Sequence, residues 1–177
     1  RGIRENPNTW QLFFDLGFLK YMELHDPAGA ADAFRRGAAV PHAHPFLRVL
    51  AAAMAQHAGE RQTARALWMT TYQTTDDKMI KENAVKHLRA LDVDDEVVQL
   101  QQIADQFAKK TGTPATSMAE LIQAGYLRGI PVDPLGHPFK IVNGRVEVAD
   151  PGALPFITEG LPPGEKSQFL QIGAGKQ

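Results

Sequence analysis

Residues of matching size recur thirty-four positions apart in the first half of the chain: Pro7 with Pro41, Leu16 with Leu50, Gly17 with Ala51, Ala30 with Ala64, and Phe34 with Trp68. A fixed period of this length marks a repeat whose units bury their apolar faces by stacking on one another. The small Gly17 or Ala51 lets two helices approach closely, the small Ala30 or Ala64 receives the facing helix, and Phe34 or Trp68 fills the space between. Each unit is therefore predicted to be a helical hairpin. Asp26 and Pro27 open the second helix of the first hairpin as N-cap and first-turn proline, and Gly59 breaks the chain before the second helix of the next.

The chain's 177 residues, 44% of them hydrophobic, suffice for one ordinary domain, or one with a small appendage. Nineteen basic and twenty acidic residues leave a net charge of −1. No segment concentrates Lys and Arg as a nucleic-acid footprint requires, so nucleic acid is not expected as a partner. Without cysteine the chain has no disulfide, thiolate metal site, cysteine nucleophile or covalently attached c-type haem. It begins at Arg1 rather than Met, which leaves open a preceding or removed segment.

On these residues, from about 6 to 75, the chain resembles the tetratricopeptide repeat (TPR) family, and a degenerate third unit follows. In that unit, "DDKMIKENAVKHLRALD" sets Ile80, Ala84, Leu88 and Leu91 on one helical face and is expected to end at Asp92. A separate capping helix is expected over about 94–110, with Val97, Leu100, Ile103, Ala104 and Phe107 inward and Asp95, Gln99, Gln102, Asp105, Gln106 and Lys109 in water. The resemblance implies a concave protein-binding groove. It would be lined by Gln11, Phe14, Phe18, Tyr21 and Met22, then by Arg48, Ala52 and Gln56, then by Glu82, Lys86 and Arg89.

The leading helix poses its own problem. In "NPNTWQLFFDLGFLKY", Trp10, Leu12, Phe13, Phe14, Leu16, Phe18, Leu19 and Tyr21 leave no polar face. A helix apolar nearly all round must be covered on more than one side. Gln11, Asp15 and Lys20 interrupt the run, which is shorter than the roughly 20 apolar residues of a membrane span. Further repeats upstream, or a neighbouring subunit, are expected to cover it. Phe14, Phe18 and Tyr21 then form either an aromatic strip in the groove or core beneath that neighbour.

After Gly112 the pattern changes. Ser117 and Glu120 form a capping box, a short helix follows, and Gly125 stops it. "IPVDPLGHPF" fixes φ at its prolines and makes a rigid turn. Phe139 to Val142 and Arg145 to Val148 flank Asn143-Gly144, the pair best suited to a type I′ hairpin. This stretch is similar to the head of type II secretion pseudopilins, most specifically at Asp133, Pro134, Gly136, Pro138 and Phe139. The resemblance implies a bacterial envelope setting, periplasmic or membrane-associated, and raises a calcium site. Asp133, Glu147 and Asp150 are its only clustered oxygen donors, against the six to eight ligands calcium takes.

Neither His42 and His44 in "VPHAHP" nor His57 stands in an HExxH context, and Pro41 and Pro45 mark the pair as an inter-repeat loop. Ser117 is accounted for as an N-cap, and no phosphate loop, dinucleotide fingerprint or Gly-x-Ser-x-Gly elbow occurs. The expectation is a mainly α fold: TPR-like repeats with a capping helix over 1–112, a small α+β module with a hairpin over 113–150, and an extended tail over 151–177. In function it reads as a non-enzymatic scaffold for other protein subunits, with no cofactor and no metal. The alternatives are a component of a secretion or pilus-like machine acting through the C-terminal module, and a small hydrolase or metal enzyme using the loop histidines.

Overall fold

In the computed structural model of the chain, residues 9–167 are described; Pro7 and the last ten residues of the expected tail lie outside them. The fold is mainly α, with a two-stranded antiparallel hairpin near the C-terminus. Its elements are α1 (Trp10–Met22), α2 (Pro27–Ala38), α3 (Phe46–His57), α4 (Arg61–Thr74), α5 (Lys78–Thr111), α6 (Met118–Gln123), β1 (Lys140–Val142), β2 (Arg145–Glu147) and a 3-10 turn (Pro151–Ala153). Two compact units share them, Arg1–Leu88 and Arg89–Gln177.

In the N-terminal unit each of α1 to α4 packs against its sequence neighbour. Asp26 caps α2 through Gly29 N–H at 2.8 Å, its other oxygen pairs with Lys20 at 2.9 Å, and Pro27 takes the first helical position. Gly59, at φ 76, ends α3. Of the period-34 residues, Gly17, Ala30, Phe34, Ala51, Ala64 and Trp68 are buried where helices meet, Leu16 and Leu50 are half-buried, and Pro41 is exposed in the turn before α3. The α1–α2 approach is the closest case. A β-carbon on Gly17 would lie 2.4 Å from Phe34 Cε1, so only the bare helix backbone fits under the ring.

The break expected at Asp92 is absent, because α5 runs unbroken from Lys78 to Thr111. No glycine or proline interrupts it, Leu91 and Val93 are fully buried, and Asp94 spends its carboxylate on distant chain instead of on a new helix start. The compact units consequently divide inside this helix, after Leu88, and not at Gly112. The inward residues expected of its second half do face a core: Val97, Leu100, Ala104 and Phe107 pack with Met118, Leu121, Phe139, Ile141, Val146 and Val148.

Ser117 caps α6 at Glu120 N–H, 3.3 Å, but the return arm of the capping box reaches one residue further back, with Glu120 Oε2 accepting from Thr116 N–H at 2.8 Å. The hairpin closes in the register Val142↔Arg145, Ile141↔Val146, Lys140↔Glu147. Each strand is one residue shorter than expected, because Phe139 N–H bonds Pro131 O and Val148 N–H bonds Gly160 O. The stretch from 151, expected as an extended tail, brings Leu154 and Ile157 into the core of its own unit.

Gly17→Ala should lower stability even though alanine is the better helix former by about 1 kcal/mol. Overpacking against a ring that is 1% exposed costs about 1–3 kcal/mol. The melting temperature by circular dichroism should drop by a few degrees, and a rise would show that the ring yields freely.

Candidate functional site

The apolar leading helix is anchored from beneath by one ring. Phe34 of α2 meets Phe18 at 5.5 Å and Phe14 at 6.2 Å between centroids, while Phe14 and Phe18 lie 4.8 Å apart and Trp10 stands edge-on to Phe14 at 6.4 Å. Only Phe13 and Gly17 of α1 are buried. Phe18 is 39% exposed, Leu19 51%, Met22 54% and Leu24 60%, so the C-terminal half of α1 and the residues just after it form an open apolar surface. The equivalent stretch of α3, thirty-four residues on, buries Ala52, Ala55 and Gln56.

The residues expected to line the groove separate into distinct environments. Gln11, Phe18, Met22, Arg48, Glu82 and Lys86 are exposed, and Phe14 and Tyr21 are half-buried, Tyr21 against the His57 ring at 5.4 Å. Arg48 Nη1 donates to Thr74 Oγ1 at 3.1 Å. Arg89 is half-buried and falls in the C-terminal unit. Ala52 and Gln56 are corrections: both are core, at 0% and 2% exposure.

Gln56 is inside because it serves two buried donors. Its Oε1 accepts from Trp68 Nε1 at 3.2 Å and lies 2.7 Å from His87 Nδ1, and the Trp68 and His87 rings stack at 4.0 Å with an 11° tilt. An amide oxygen only accepts, so the imidazole nitrogen facing it carries the proton. The Trp68–Gln56 link was legible in principle, since a buried indole N–H requires an acceptor. His87 was not, because its place on α5 follows from tertiary packing.

In the C-terminal unit two of the three carboxylates weighed for calcium, Asp133 and Asp150, accept main-chain amides of turns. Asp133 Oδ1 accepts from Leu135 N–H at 2.8 Å and His137 N–H at 3.0 Å, and Asp150 Oδ1 accepts from Ala153 N–H at 3.2 Å. Glu147 is buried in β2. Asp133 Oδ2 faces His137 Nδ1 at 3.4 Å. Burial and the nearby charge of Asp133 and Asp92 raise the Glu96 pKa. The loop histidines do not converge: His42 and His44 are exposed, and His44 Nδ1 accepts from Phe46 N–H at 3.2 Å. Among the described residues no group of three or more His, Asp or Glu side chains is placed to hold a metal ion, and no helix is long and apolar enough to cross a membrane.

Sequence reasoning missed two polar clamps here. Asp94, fully buried, accepts from Thr158 N–H and Oγ1 at 2.8 Å each and from Glu159 N–H at 2.9 Å. Gln101 accepts from Val146 N–H at 2.9 Å and donates to Gly144 O at 3.0 Å, so a side-chain amide closes the outer edge of β2. No pattern in sequence joins residues this far apart.

No protein family, curated protein or solved structure matches the chain.

Burial holds the His87 pKa at about 3, against 6.5 for the free side chain. The unfolded chain thus binds a proton near pH 6.5 that the folded one refuses, so stability falls as pH falls below 6.5, by about 1.4 kcal/mol per unit. Asp94 works in the opposite direction: burial, against its three donors, raises its pKa from 3.8 to about 6, so its contribution is fully present below 3.8 and is lost as pH rises through 6. The two tryptophans, Trp10 and Trp68, both lie in the N-terminal unit, Trp68 stacked on His87. Urea unfolding followed by their fluorescence should lose about 2 kcal/mol between pH 7 and pH 5. His87→Phe should flatten that dependence; an unchanged slope would assign it to another group.

Proposed function

We propose that the chain is a non-enzymatic protein-binding scaffold, or an accessory subunit, that holds together a larger bacterial, envelope-associated assembly. Its N-terminal unit is the TPR-like part and binds other protein subunits. One observation carries this: Phe18, Leu19, Met22 and Leu24 present an apolar surface, whereas Ala52 and Gln56, the counterparts of Phe18 and Met22 in α3, are buried. Apolar surface held rigidly by a buried ring, with charge at its C-terminal half limited to Glu23 and the paired Lys20 and Asp26, suits a helix or helical hairpin of a partner. Gln11 and Arg48 supply polar groups to the same reading, as do Glu82 and Lys86.

The second reading is a component of a type II secretion or pilus-like machine that works through the C-terminal module. It is favoured by the turn from Asp133 to Phe139, where the Asp133 carboxylate gathers two amides and the chain passes directly into the hairpin. Under it the α1 surface would be incidental.

The isolated chain should self-associate as its concentration rises, measured by light scattering. Leu19→Gln with Met22→Gln should make it monomeric at an unchanged melting temperature, since both side chains are more than half exposed, at 51% and 54%, while Phe14 and Phe18 pack on Phe34. A parent chain that is monomeric throughout, and is destabilised by the double change, would place these residues in the domain's own core and remove the proposal's support.

A further inference from the structure

The hairpin turn leaves its own sequence little freedom. Asn143 and Gly144 both sit at positive φ, 51 and 76. A β-carbon at Gly144 would stand 2.9 Å from Pro114 Cβ, so glycine is required there by backbone region and by space. Asn is among the few side chains that tolerate the left-handed region at 143. The pair this fold selects is also a chemically labile one, because a residue without a β-carbon after Asn gives its amide nitrogen open access to the Asn side chain, and Asn143 is exposed to water.

We propose that Asn143 is a self-modification site, converted through a succinimide to isoaspartate or aspartate, with opening of the hairpin as the gate. The Gly144 amide nitrogen, deprotonated by solvent base, attacks Asn143 Cγ. The new C–N bond closes a five-membered imide, the Cγ–Nδ2 bond breaks, and nitrogen leaves as ammonia after taking a proton from water. Water then adds to one of the two imide carbonyls. Addition at the main-chain carbonyl leaves an isoaspartyl linkage, and addition at Cγ leaves aspartate. The net change is one water consumed and one ammonia released, with no oxidant or reductant.

The gate follows from what holds the turn. Ring closure requires rotation about the Asn143 Cα–C bond, which swings Gly144 out of its place. In the closed hairpin Val142 and Arg145 are paired, and Gln101 grips the carbonyl of Gly144, the turn residue that must move, together with Val146 N–H two residues on. Reaction therefore draws on the population in which the hairpin has opened locally. The isoaspartyl product has an extra methylene in its main chain, so a two-residue loop no longer closes in the register Val142↔Arg145. The change is one-way, and it releases the edge that Gln101 covers.

The full chain is held at mildly alkaline pH, folded and in urea, and followed by intact mass and peptide mapping. Residue 143 should convert at least about tenfold more slowly folded than in urea. Gln101→Ala, checked for folding by circular dichroism, should close much of that gap, and Asn143→Gly should show no conversion there while keeping the turn. Equal rates folded and in urea would remove the gate. Folded chains that stay unconverted, with Gln101 or with Ala, after the urea sample is exhausted would remove the site. If Gln101→Ala does not fold, the ratio of folded to urea rates in the parent chain decides alone: a ratio near one overturns the gate.

Discussion

A thirty-four-residue helix without glycine or proline can persist in water only if much of its length is packed, because isolated helical propensity is marginal. In α5 that packing is complete on one stripe: Ala84 and His87 are buried in its first half, and Ala90, Leu91, Val93, Val97, Leu100, Ala104 and Phe107 in the rest. The C-terminal unit is built on this stripe. Its short helix, its hairpin and the segment carrying Leu154 and Ile157 bring apolar side chains to it, and none is long enough to hold a fold unaided. The helix also gives each unit its polar fastening, His87 in one and Asp94 and Gln101 in the other.

Those fastenings differ in kind. His87, Gln56 and Trp68 form a neutral cluster in which one amide oxygen serves two donors, so burial costs little while the imidazole stays uncharged. Asp94 is buried as a carboxylate-bearing group with three donors, and desolvation competes with them for its charge. Gln101 is neutral and half-buried, and makes its bonds to a strand edge that otherwise would stand open to pairing. Polar residues therefore tie α5 to its surroundings where apolar contact alone would permit sliding.

The N-terminal unit shows what one small residue does. Gly17 lets Phe34 lie directly on the α1 backbone, and that ring then supports Phe14 and Phe18 from below. The same contact that stabilises the first hairpin thus fixes an apolar surface facing outward. Covering that surface would remove side chains such as Leu19 and Met22 from water, a favourable transfer.

The sequence by itself determined what depends on neighbours close along the chain or on a fixed period. The hairpin register and its positive-φ turn followed from Asn143-Gly144, the cap of α2 from Asp26-Pro27, and the close helix contacts from the recurrence of Gly17, Ala30 and Phe34. Periodicity reports which face of a helix is apolar, but not where a helix without breakers should end, so α5 was divided at Asp92 in sequence and is continuous in structure. Only the tertiary structure decided the fates of Gln56, His87, Asp94 and Gln101. A polar side chain is as favourable in water as in a satisfied buried bond, and which of the two it meets depends on partners that lie 12 to 65 residues away along the chain.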